Sequence, residues 1–280
     1  MLHKKPSNND GLIQLEIINS YWFIYETISW LYVNLINLRL FIVYLGYNHK
    51  SIKMKKLILL FSIVLSTSLN AQYCAFYDFE AKEPEMVVST LKSMMDSEWG
   101  KNIQGTKSLF QYSFNGTNGA THSVQFCFQN EDGLQQFMMS FAGSPITQLL
   151  GEKLGKYITP VSQQLNTPAW FQNDWSNDQV FMIWQMNVTD SSKYAGTFIP
   201  FAKKMMKKMG VENSFGLGYP ILGKNNDYTH FVWSGAPDVK TALSRTKTMY
   251  SDPDFAKFNS SVNDIRSITN TVLMVRLMDF

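Results

Sequence analysis

Two runs of the sequence open on the same dipeptide: Thr121-His122-Ser123-Val124-Gln125-Phe126-Cys127-Phe128 and Thr229-His230-Phe231-Val232-Trp233-Ser234, 108 residues apart. Both read as strands. Working outward at the same offset, Ser144-Pro145 falls on Asp252-Pro253. Each of these pairs is a helix start, because the Ser or Asp oxygen accepts an orphan N–H and Pro has none to lose. Residues 73–79 fall on 181–187, both aromatic-rich and apolar enough for a buried strand. A structural unit recurs, not a dipeptide alone.

The elements between these landmarks also match. Val87, Leu91, Met94, Met95 and Trp99 recur at helical spacing after Pro84, and Tyr194, Phe198, Ala202, Met205 and Met206 do so between Asp190 or Ser191 and Gly210. Strands at 108–114 and 121–128 flank a turn at 115–119; those at 215–222 and 228–234 flank one at 223–227, with Gly and Asn supplying positive φ. Helix pairs follow at 133–141 with 145–158, and at 237–249 with 253–266. The second unit closes on a strand at 271–278; its counterpart near 163–171 contains Pro168 and reads as an edge strand. The fold class is α+β, as two tandem β-α-β-β-α-β repeats of the ferredoxin-like type. Residues 72–171 form the first, 172–178 a linker and 179–280 the second. Each sheet leaves one face bare, so the two sheets are expected to pack face to face.

With its run Ser251-Asp252-Pro253-Asp254-Phe255-Ala256-Lys257-Phe258, this unit resembles the dimeric α+β barrel superfamily, which includes the antibiotic-biosynthesis monooxygenase-like, NIPSNAP and stress-responsive barrel families. In the first copy the run shrinks to Gly143-Ser144-Pro145-Ile146. The resemblance implies an intrachain dimeric α+β barrel with a cavity between or beneath the sheets. It implies no single activity, since cofactor-free oxygenases, haem proteins and isomerases share the fold.

The front of the chain reads differently. Met54-Lys55-Lys56, an apolar stretch at 57–64 and small residues up to Ala71 form a secretory signal over 54–71, cut before Gln72. Residues 1–53 read as an upstream region translated from too early a start, or as an apolar extension; 21–47 is long enough to span a membrane, but Glu26, Asn34, Asn37 and Arg39 oppose insertion. Seven of the 25 cations and three of the 22 acids precede Gln72, leaving 18 against 19 and a formal charge of −1. The basic balance of the whole chain is therefore no argument for nucleic-acid binding. The expected location is the periplasm or exterior of a bacterium. There the two cysteines, Cys74 and Cys127, are either a disulfide or two buried thiols.

Chemistry has few candidate seats. His122 and His230, the only histidines after residue 71, are the candidate proton-handling groups; the bland reading is a solvated strand start. Thr121, Ser123, Gln125 and Cys127 form a polar strand face whose counterpart is Thr229, Phe231, Trp233 and Gly235, so a pocket would be asymmetric, with Trp184, Tyr219 and Trp233 as candidate aromatic lining. Asp78 and Glu80 share a strand face, and Lys203, Lys204, Lys207 and Lys208 form the wet side of a helix. Gly-x-Ser-x-Gly, His-Glu-x-x-His and Cys-x-x-Cys are absent, and no metal site or cofactor is expected. The leading reading is an exported protein, one chain with an internal pseudo-dimer, binding a small apolar ligand or an envelope partner. The alternatives are a cofactor-independent monooxygenase or isomerase using His122 or His230, and a haem-binding protein.

Overall fold

The computed structural model describes residues 72–223 and 228–280. The signal, the upstream stretch and most of the turn at 223–227 lie outside the described residues. The first half runs β1 (Tyr73–Ala81), α1 (Pro84–Met95), α2 (Glu98–Asn102), β2 (Thr106–Phe114), β3 (His122–Phe128), α3 (Glu131–Gly143), α4 (Pro145–Gly155) and β4 (Ile158–Gln172). The second runs β5 (Val180–Val188), α5 (Ser191–Met209), β6 (Phe215–Leu222), β7 (His230–Ala236), α6 (Val239–Tyr250), α7 (Pro253–Val262) and β8 (Arg266–Asp279).

Local chemistry sets the element ends. The Asp190 carboxylate accepts the Lys193 N–H at the start of α5, and Gly210, at φ 58°, ends it in the left-handed conformation that a side chain would strain. On α1, Val87, Leu91, Met94 and Met95 are buried; the helix then breaks, and Ser97 caps α2, which carries Trp99. The two Pro-led helix starts differ. Asp252 accepts the Asp254 N–H, whereas the Ser144 side chain makes no capping bond.

Within each half the strand order is the same, β4-β1-β3-β2 and β8-β5-β7-β6. The sheets do not pack face to face as expected. They join at their edges, β2 beside β8 and β4 beside β6, and close an eight-stranded antiparallel barrel. Edge joining satisfies the backbone groups that two open sheets would leave bare, and it turns both uncovered faces inward together. For the same reason β4 is not an edge strand: β1 and β6 pair with it on either side, and Pro168 sits at a register shift opposite Gly218, where its missing N–H is tolerated.

Three apolar clusters result. One lies between the second sheet and α5–α7 and includes Trp184, Tyr194, Phe198 and Met205; one lies between the first sheet and its helices and includes Leu91, Leu109 and Phe126. The third lies inside the barrel and includes Phe110, Phe181, Phe231, Trp233 and Met274. Full burial of side chains of this size contributes about 1.5–3 kcal/mol each. Strand alternation decides which cluster a residue joins.

Candidate functional site

β1 and β5 correspond at an offset of 107, not 108. Phe79 faces His122 across the ladder, and it is Met186 that faces His230. A slip of one residue exchanges the two faces of a strand. Phe181 and Ile183 thereby enter the barrel, and Trp184 turns out of it. Its Nε1 donates to the Tyr250 hydroxyl at 2.7 Å in the core beneath α6. Of the three aromatic candidates, only Trp233 lines the barrel interior. Tyr219 lies on the outer side of β6, its ring centre 6.0 Å from that of His230.

The two histidines also face away from the barrel interior, since Ser123 and Gln125, Phe231 and Trp233 take the inward positions on β3 and β7. Both occupy the same local arrangement. Thr121 Oγ1 accepts the Ala81 N–H at 2.9 Å and lies 2.8 Å from His122 Nδ1, while the Thr121 N–H donates to Phe79 O. Thr229 Oγ1 accepts the Val188 N–H at 2.8 Å and lies 2.9 Å from His230 Nδ1, while its N–H donates to Met186 O. The His122 ring stacks on Phe79, and burial holds its pKa below the ordinary 6.5. Thr-His is a strand-splicing device made twice.

Inside the barrel is a chamber of about 90 Å³, lined from every strand of the barrel except β6. β6 contributes room instead of side chains: a Cβ on Gly216 would lie 2.2 Å from the Trp233 ring, and one on Gly218 2.6 Å from the Phe231 ring. One wall carries Phe181, Ile183, Phe231 and Trp233; the other carries Ser108, Gln125 and Asn166 with the Cys74–Cys127 disulfide. This bond joins directly opposed residues of β1 and β3, with S–S 2.08 Å. Asn166 is 1% exposed, and among the described residues neither its Oδ1 nor its Nδ2 has a hydrogen-bond partner.

The linker between the halves passes over one mouth of this chamber. Trp175 lies against Phe171 and Trp233, with ring centres 5.2 and 6.2 Å away. Arg276, 8% exposed, clips the linker down: its guanidinium donates to Trp175 O and Ser176 O at 2.7 Å each, pairs with Asp279, and rests over the rings of Phe110 and Phe181.

The other end of the barrel is polar. Asp78 accepts from the Tyr112 and Ser162 hydroxyls at 2.9 and 2.7 Å, and Tyr228 donates to Gln164. Burial, then the charge of Asp78, pushes the Tyr112 phenol well above its ordinary pKa. Glu80 lies past a register shift and is exposed, so it forms no carboxylate pair with Asp78. Lys204 and Lys208 of α5 pair with Asp254 and Asp252 of α7 across the helix layer. No group of three or more metal-ligating side chains occurs among the described residues, and no helix among them is long and apolar enough to cross a membrane.

Asn166, Trp175 and Arg276 are among the contributors that the residue pattern did not single out, as are Phe110, Phe181, Ile183 and Met274. Arg276 had a signal, as the lone charge within Val272-Leu273-Met274-Val275-Arg276-Leu277. Trp175 had none, because a linker Trp reads the same whether it covers a cavity or lies on a surface.

No family profile and no curated protein sequence matches the chain. Among solved structures, an anthrone oxidase-like protein is similar at TM-score 0.53 and 9% identity, over 76% of this chain and 94% of its own. A Fusobacterium nucleatum protein provisionally assigned as a monooxygenase is similar at TM-score 0.51 and 11% identity, over 75% and 94%. At such identities the likeness is one of fold. The fold is a dimeric α+β barrel, here with all eight strands supplied by one chain.

Proposed function

We propose that residues 72–280 act as an exported binding protein, a single chain with an internal pseudo-dimer, that takes a small, largely apolar molecule into the barrel chamber. The observation that carries this reading is the chamber itself, walled by aromatic side chains on one side and covered by Trp175 on a clipped linker. Ligand sites are mostly apolar concavities with a few placed polar groups. At about 90 Å³ the chamber is smaller than the ~150 Å³ engineered apolar cavity that binds benzene. A ring-sized guest therefore requires some widening of the chamber. Export is supported by the signal pattern at 54–71 and by the disulfide, a bond that persists in oxidising compartments.

The chemical alternatives fit these residues less well. A cofactor-independent monooxygenase or isomerase using His122 or His230 needs an imidazole facing its substrate, and both rings lie outside the barrel wall. Haem fits no better: no helix of the described residues carries a histidine, and neither strand histidine lines the chamber or the crevices beneath the helices. An envelope partner instead of a small ligand is the outcome to expect if the chamber stays empty. The test is calorimetric titration with toluene. Wild type is expected to bind, and Ile183→Phe, which narrows the chamber, to weaken binding; equal binding by both proteins would overturn the assignment.

A further inference from the structure

We propose that Asn166 is the recognition group of the chamber, and that its ligand carries a hydrogen-bond donor and an acceptor side by side on a small apolar body, as in a primary carboxamide, a lactam or a protonated carboxylic acid. This inference rests on reading the chamber as a binding site.

The observation is a carboxamide left idle where idleness is costly. Asn166 is 1% exposed, pairs in register with Cys74 on β1, and lines the chamber, yet both its oxygen and its nitrogen lack a partner among the described residues. Buried polar side chains are nearly always hydrogen-bonded, so such a group calls for an explanation. The fold does not supply one. The equivalent position on β8 is Met274, 3% exposed, so the same place in the architecture is filled by a thioether without penalty. The half with Asn166 also offers Ser108 and Gln125 to the chamber, beside Phe76 and Phe110, while the other half offers Phe181, Phe231 and Trp233, with Arg276 already engaged by the linker and Asp279. A guest oriented by these walls places its polar end toward Asn166, whose buried carboxamide atoms a small shift of the chamber wall must uncover, and its apolar body against the rings. Because Oδ1 accepts and Nδ2 donates from one planar group, the full complement is a neighbouring donor and acceptor. A hydrocarbon leaves both atoms idle, and a lone carbonyl serves only Nδ2.

The test titrates the protein with benzamide, with acetophenone, which keeps the acceptor alone, and with cumene, an apolar molecule of similar shape. Asn166→Leu replaces the carboxamide by an apolar group of like shape and is expected to fold at least as stably as wild type. In it benzamide is expected to lose about tenfold or more in affinity and acetophenone less, while cumene binds unchanged or more tightly. Asn166→Ser, a second variant should the first fail to fold, is expected to weaken benzamide relative to cumene as well. A benzamide-to-cumene ratio that is the same in wild type and variants overturns the role of Asn166 and leaves the chamber assignment standing, provided that Ile183→Phe still weakens cumene binding. If none of the three binds wild type, the chamber assignment falls and the role of Asn166 falls with it.

Discussion

Thr121 and Thr229 each tie a backbone N–H, a backbone carbonyl and a neighbouring imidazole at one point where two strands meet. Thr121→Val keeps the shape but strands the Ala81 N–H, and is expected to lower the unfolding free energy by about 1–2 kcal/mol in urea titration. His122 adds a pH dependence whose sign follows from its depressed pKa. The unfolded chain takes up the proton more readily than the folded one. Stability is therefore complete above about pH 6.5, declines as the pH falls below it, and levels off once the folded-state pKa is passed. His122→Gln should reduce that decline, as measured by denaturant unfolding between about pH 7.5 and pH 4.5. A decline unchanged by the substitution would assign the effect to other groups.

At the level of the element, β6 shows what a strand gives up to make room for others. Gly216 and Gly218 stand opposite Trp233 and Phe231 in the ladder, and the rings lie over them. Gly216→Ala or Gly218→Ala is expected to cost about 1–3 kcal/mol through overpacking, read as a lowered melting temperature. The helix starts offer a graded comparison: Asp252→Ala, which removes a cap bond, should cost about 1 kcal/mol, and Ser144→Ala, which removes none, clearly less. Both starts were legible from their Pro, as were the number, order and type of the main strands and helices, because amphipathic periods and turn residues are local signals. Edge closure was not, since which strand meets which across the barrel depends on contacts far apart in sequence. The face that Trp184 presents was lost to a one-residue difference in offset, which no local pattern reveals when both faces of a strand are apolar. Trp233 lies on the inward face because β3 and β7 do keep the offset of 108.

Residues 72–280 form a barrel sealed along two seams, β2 with β8 and β4 with β6, with one disulfide joining the neighbouring strands β1 and β3. Cys74 and Cys127 are 53 residues apart, and replacing both with Ala is expected to cost about 2–4 kcal/mol, with reductant lowering the melting temperature of wild type but not of the variant. Because the seams complete the sheet within one chain, no strand edge is left for a second copy to extend. The proposed seat of a small apolar guest is the barrel interior, not the crevices beneath the helices. Intermolecular nuclear Overhauser contacts from bound toluene test it most directly. Contacts to the Met274 methyl and the Trp233 ring are expected; contacts confined to Trp184, Met205 and Met249 beneath the helices, or none at saturating toluene, would overturn the assignment.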